Sequence, residues 1–174
     1  MTSSQTSQTT LTGERADLVQ TLDKHRGFFR YTVGGLTDEQ ATQRTTASAL
    51  TLAGLIKHVA HTEQTWADFA QRGAEAFDMT NWGVEAWQAQ WSLQPGETLA
   101  GVLDEYEEIA RRTDELVATL DLDAGHPLPQ APWFEPGAVW SVRRAVLHII
   151  AETAQHAGHA DILRESLDGQ KTMG

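Results

Sequence analysis

Four stretches of the chain place apolar residues at three- and four-residue intervals, the period of a helix with one buried face, and no comparable stretch alternates as a strand would. The first predicted helix runs from about Leu11 to Val33, with Leu11, Leu18, Leu22, Phe28 and Phe29 as its apolar residues, and Gly34 and Gly35 stop it. A short acidic turn, LTDEQ, follows. The second helix, from about Thr51 to Gln71, carries Leu52, Leu55, Ile56, Val59, Trp66 and Phe69 and ends at Arg72 and Gly73.

The next segment, NWGVEAWQAQW, sets Trp87 and Trp91 four residues apart, a spacing that puts them on one face of a short helix, before Pro95 and Gly96 break the chain. The third helix, from about Glu97 to Leu120, turns Leu99, Val102, Leu103, Tyr106, Ile109, Leu116 and Val117 inward and its acidic residues outward. His126 to Gly137, HPLPQAPWFEPG, holds four of the five prolines and reads as irregular. Ser141 is placed to cap the fourth helix, which runs to about Leu167 before Gly169. Four helices of about this length, each with one apolar stripe, make an all-α, single-domain four-helix bundle over residues 11–174 the economical fold. The long connections between helices two and three and between three and four leave room for an order other than simple up-and-down.

Composition changes this picture in three respects. Thirteen Lys and Arg against 24 Asp and Glu give a formal charge of -11, which disfavours a nucleic-acid backbone or an anionic membrane as partner. No apolar run approaches the roughly 20 residues that cross a bilayer, and the polar MTSSQTSQTT start, residues 1–10, reads as a disordered lead-in, so the cytoplasm is the expected location. There is no cysteine, which removes disulfides, thiolate metal ligands and a protein thiol nucleophile together.

The fourth helix departs from its own pattern in "HIIAETAQHAGHADIL". A helix advances about 100° per residue, so His148, Glu152, His156 and His159 fall within an arc of roughly 80°. Ala145, Ile149, Ala160 and Leu163 flank this polar stripe, which directs part of it toward the interior, where an unpaired carboxylate is costly. In the second helix, "LIKHVAHTEQTW" puts His58 on a face with Leu55, Thr62 and Phe69, and turns His61 about 60° away. If these faces oppose one another, His58 meets Glu152 and His156, and two imidazoles with one carboxylate suit zinc with a fourth position open. On spacing alone the bland alternative stands beside this: a histidine near an apolar face is commonly a hydrogen-bonded core residue, and Glu and His four apart also pair on solvated faces. His-Glu-x-x-His and Glu-x-x-His motifs are both absent.

"LIKHVAHTEQTW" and "VRRAVLHIIAETAQHAGHADILRE" resemble the DinB-like metal-binding bundles, and within them the branch of mycothiol S-transferases and mycothiol-dependent maleylpyruvate isomerase. The resemblance implies an up-down-down-up bundle holding one divalent metal, zinc first and Ni2+, Fe2+ or Mn2+ as alternatives. Carried over by position, the ligands are His58, Glu152 and His156. His159 stands where many relatives have glutamine, beside the last ligand, and His148 lies one turn before Glu152.

The expected activity joins that site to the missing cysteine: a metal-dependent S-transferase that activates a low-molecular-weight thiol, mycothiol by resemblance, for attack on an electrophile, with His61 or His159 as the catalytic proton carrier. A hydrolase using metal-bound hydroxide and a non-catalytic metal-binding module are the rival readings. The expected partners are the thiol and the electrophile, with the chain acting as monomer or homodimer. Among the six tryptophans, Trp66, Trp82, Trp87, Trp91, Trp133 and Trp140, core packing is the ordinary role and a pocket wall the alternative for some. Arg143, Arg144 and Arg164 are candidates for anion contact, with ion pairs to the excess carboxylates as the competing use.

Overall fold

The computed structural model describes residues 11–77 and 83–172, so Trp82 and the lead-in over residues 1–10 lie outside the described residues. The four predicted helices are α1, Glu14–Val33; α3, Leu52–Arg72; α5, Leu99–Thr119; and α6, Val142–Asp168. Their starts follow side-chain chemistry: the hydroxyls of Thr51, Thr98 and Ser141 accept from the backbone N–H groups of Gly54, Gly101 and Arg144. Helix α1 begins three residues later than the apolar pattern predicts, because Gly13 adopts a positive φ of 59° that no helix continues through.

Shorter pieces fill the connections. The acidic turn closes into one helical turn, α2, Asp38–Ala41, with a reciprocal cap between Thr37 and Gln40, and Trp87 lies on the short helix α4, Val84–Ala89. The proline-rich segment, read as irregular from His126, instead opens in a strand, β1, Gly125–Pro127, which pairs antiparallel with β2, Val139–Ser141, His126 opposite Trp140; periodicity predicted neither. Three residues are too few to display a two-residue period.

Cross-helix contacts fix the directions of the bundle. Arg143 near the start of α6 pairs with Glu14 at the start of α1, and Arg164 near the end of α6 donates to the Thr32 and Gly34 carbonyls at the end of α1, so these two helices run parallel. Lys57 pairs with Glu97 and Arg112 with Asp68, so α3 and α5 also run parallel. Arg15 donates to the carbonyls of Val117 and Leu120, which sets α1 against α5. The bundle is therefore up-down-down-up, and the long connections from α3 to α5 and from α5 to α6 carry the chain into this order.

Two apolar clusters make the core. One gathers Phe29, Leu55, Ile56, Val59, Val102, Ile109 and Leu163, and the other Leu22, Trp66, Phe69, Val117, Val146 and Ile149. Between them each long helix contributes a buried polar residue: Arg26, Glu63, Thr113 and Thr153. The two threonines donate to carbonyls one turn back. Arg26 and Glu63 form a two-point ion pair at 2.5 and 3.2 Å, and a third Arg26 nitrogen reaches Asp114 at 2.9 Å. This layer marks mid-height in the bundle, close to the level at which the histidines of α3 and α6 face one another.

Candidate metal centre

Because α3 and α6 run antiparallel, His58 on one meets Glu152 and His156 on the other. One ligand atom from each of these residues lies within 4.8 Å of the other two. Glu152 and His156 stand one helical turn apart, with 3.6 Å between His156 Nε2 and Glu152 Oε2, longer than a hydrogen bond. Three donors bonded to one zinc at about 2.1 Å sit roughly 3.4 Å apart. The cluster needs to contract by little more than an ångström to hold such an ion.

Electrostatics favour a cation there. The His156 imidazole beside it holds the Glu152 carboxyl below its ordinary range, with His148 and His58 adding to the effect, so the residue carries its charge at neutral pH. Burial pushes His58 down to about 4, and the nearby His156 pushes the same way. It is therefore neutral at physiological pH, the state in which imidazole ligates metal. Its Nδ1 is buried with no hydrogen-bond partner among the described residues, an expense that a ligating role would explain.

Three further groups position these side chains. Nδ1 of His159 lies 3.3 Å from Nδ1 of His156; one must donate and the other accept, so the tautomers of the two rings are coupled. His148 Nε2 stands 3.8 Å from the other Glu152 oxygen, and its ring meets Trp66 and Trp140 edge-on. Burial lowers its pKa as well. Trp91 stacks on His58 with ring centroids 3.7 Å apart and 16° between planes, and also meets His156 edge-on.

The expected site residues thus divide by position. His58, Glu152, His156, His148 and His159 come together, whereas His61 is exposed and makes no hydrogen bond or ring contact among the described residues. Of the tryptophans, Trp66 is core, Trp87 is exposed but touches Trp91, and Trp140 stacks on Trp66. Arg143 is committed to Glu14 and Asp123, and Arg164 to Asp168 and to backbone carbonyls.

The sequence pattern did not identify Gly54 as part of the site. A β-carbon at this position would lie 2.1 Å from the Trp91 carbonyl oxygen, so only glycine lets the connection pass close enough to lay Trp91 over His58. The available signal was a glycine inside an apolar helix, one turn before a histidine.

Comparison with known proteins agrees with this fold. A conserved protein from Enterococcus faecalis superposes with a TM-score of 0.71 at 13% identity, covering 92% of this chain and all of the other. YfiT from Bacillus subtilis, described as a probable metal-dependent hydrolase with an unusual four-helix bundle topology, superposes at 0.63 with 15% identity, covering 90% and 89%. At these identities the likeness concerns the fold. No curated protein matches the sequence. The profile of the mycothiol-S-transferase family matches residues 17–169, nearly the whole bundle and all of the candidate metal centre, and the chain belongs to that family.

Proposed function

We propose that the protein is a metal-dependent S-transferase that joins a low-molecular-weight thiol, mycothiol, to an electrophilic substrate. His58, Glu152 and His156 would hold one divalent ion, with zinc the first candidate. The observation that carries this reading is the convergence of two imidazoles and one charged carboxylate on a single point of the α3–α6 seam in a family of mycothiol transferases. Zinc at such a site favours the thiolate form of a bound thiol at neutral pH, which a chain without cysteine cannot supply itself.

The remaining work falls to the protein. Glu152 would offset the charge of the ion, with His148 3.8 Å away on one side and His156 3.6 Å away on the other. With His156 Nδ1–H donating to His159 Nδ1 across their 3.3 Å contact, Nε2 of His156 would be left for the ion. Trp91 covers one face of His58 and excludes water from it. Either His159, next to the site, or His61, on the exposed side of α3, carries the proton released by the thiol. The reading places the enzyme in the cytoplasm, where such a thiol is kept reduced.

Zinc-loaded protein incubated with mycothiol and monochlorobimane should form the fluorescent conjugate well above the rate without protein. No acceleration would refute the transferase reading. A hydrolase is the second reading, favoured by the description of YfiT. It is separated by a thiol-free reaction, in which the transferase does nothing and a hydrolase turns over.

A further inference from the structure

The loop between β1 and β2 leaves a cleft of about 810 Å³ against the start of α6. Trp133, Phe134 and Trp140 line it, as does Arg144. Trp133 and Val139, both in its wall, stay 55% and 62% exposed. Open apolar surface in a concavity is a place for a ligand.

The three arginines of α6 differ in what they do. Arg143 and Arg164 are bound by carboxylates. Arg144 has no carboxylate partner among the described residues; its guanidinium lies over the Trp140 ring, 4.6 Å from the centroid, which leaves its in-plane N–H groups for another acceptor. Two carboxylates also line the cleft. Asp123 is paired with Arg143, whereas Glu135 has no cation partner among the described residues and would oppose a second negative charge on an occupant.

The cleft lies two side chains from the candidate metal ligands. Trp140 meets His148 at 5.3 Å between centroids, and His148 Nε2 stands 3.8 Å from Glu152. Trp140, a wall of the cleft, therefore touches the side chain that flanks the proposed metal ligand Glu152.

From these observations we infer that the cleft binds an aromatic monoanion, its ring against Trp133, Phe134 and Trp140 and its acidic group on Arg144. Trp140 and His148 stand between this cleft and the candidate metal ligands, so it is a ligand site additional to the function proposed above. The binding itself requires neither metal nor thiol, so it is testable separately.

Metal-free protein is titrated calorimetrically, without thiol, with indole-3-acetate, its neutral isostere indole-3-acetamide, and the cation tryptamine. The acid should bind at least about tenfold more tightly than the amide, the scale of one charge-assisted hydrogen bond, and tryptamine more weakly still. Arg144→Gln should bring the acid to the level of the amide and leave the amide unchanged. The fold tolerates this change, because Arg144 is exposed and the Ser141 cap uses its backbone N–H. Arg143→Gln should preserve the preference for the acid, and Trp133→Ala should weaken acid and amide alike. The inference is overturned if tryptamine binds as well as the acid, if Arg144→Gln keeps the preference, or if none of the three binds at millimolar concentration. Loss of transferase activity with this preference intact would count against the function proposed above and not against the cleft.

Discussion

Replacing Glu63 with leucine removes one half of the ion pair at the centre of the bundle. Both side chains are fully buried, and Arg26 sends two nitrogens to Glu63. Breaking a buried pair on one side costs about 3–5 kcal/mol, because the partner charge is left uncompensated. Arg26 keeps Asp114 at 2.9 Å, a partner with some access to water, so the lower end applies, about 3 kcal/mol. For a chain of this size that lowers the melting temperature by roughly 6–12 °C. The double variant Arg26→Met, Glu63→Leu removes both charges and should regain most of the loss, since apolar replacements of buried pairs are commonly neutral or better. Urea denaturation of the parent, both single variants and the double variant gives the coupling directly. A loss below about 1 kcal/mol for Glu63→Leu, or a double variant as unstable as the sum of the singles, would refute this reasoning.

Gly54→Ala should push the Trp91 backbone away, because the added carbon would lie 2.1 Å from its carbonyl oxygen. The expected result is a stability loss of about 1–3 kcal/mol and roughly tenfold weaker zinc binding in competition with a chromophoric chelator; unchanged affinity would contradict the role of Trp91. His159→Ala should weaken zinc binding about 10–100-fold, and His159→Gln, which keeps an acceptor for His156, should recover most of it. Glu97 accepts from the Gln94 N–H and from Lys57, which hold its carboxyl below 4.5. A folded-state pKa below the unfolded value stabilises the fold above the unfolded value, and that contribution disappears as pH falls through the folded one. Unfolding curves between about pH 5 and 3 should therefore be flatter for Glu97→Gln than for the parent, and equal slopes would rule the contribution out.

What the sequence revealed depended on how local the signal was. Helix starts at Thr51, Thr98 and Ser141 were legible, or nearly so, because a cap acts over three residues. Glu152 and His156 were legible as a pair because one helix fixes their spacing. Bringing His58 to them required the relative direction of two helices, which the family resemblance supplied and the long-range contacts of the structure realise. The Arg26–Glu63 pair left a trace that was not read, two opposite charges at apolar positions of α1 and α3. Trp91 over His58 was beyond reach, since its placement depends on a connection passing against Gly54 and not on any period. The paired strands were equally invisible, at three residues each.

The central claim is that His58, Glu152 and His156 together hold a metal. Metal analysis of the native protein beside His58→Ala and His156→Ala tests it most directly. One equivalent in the parent and well below one in each variant is the expected result; a full equivalent retained in both variants would contradict it.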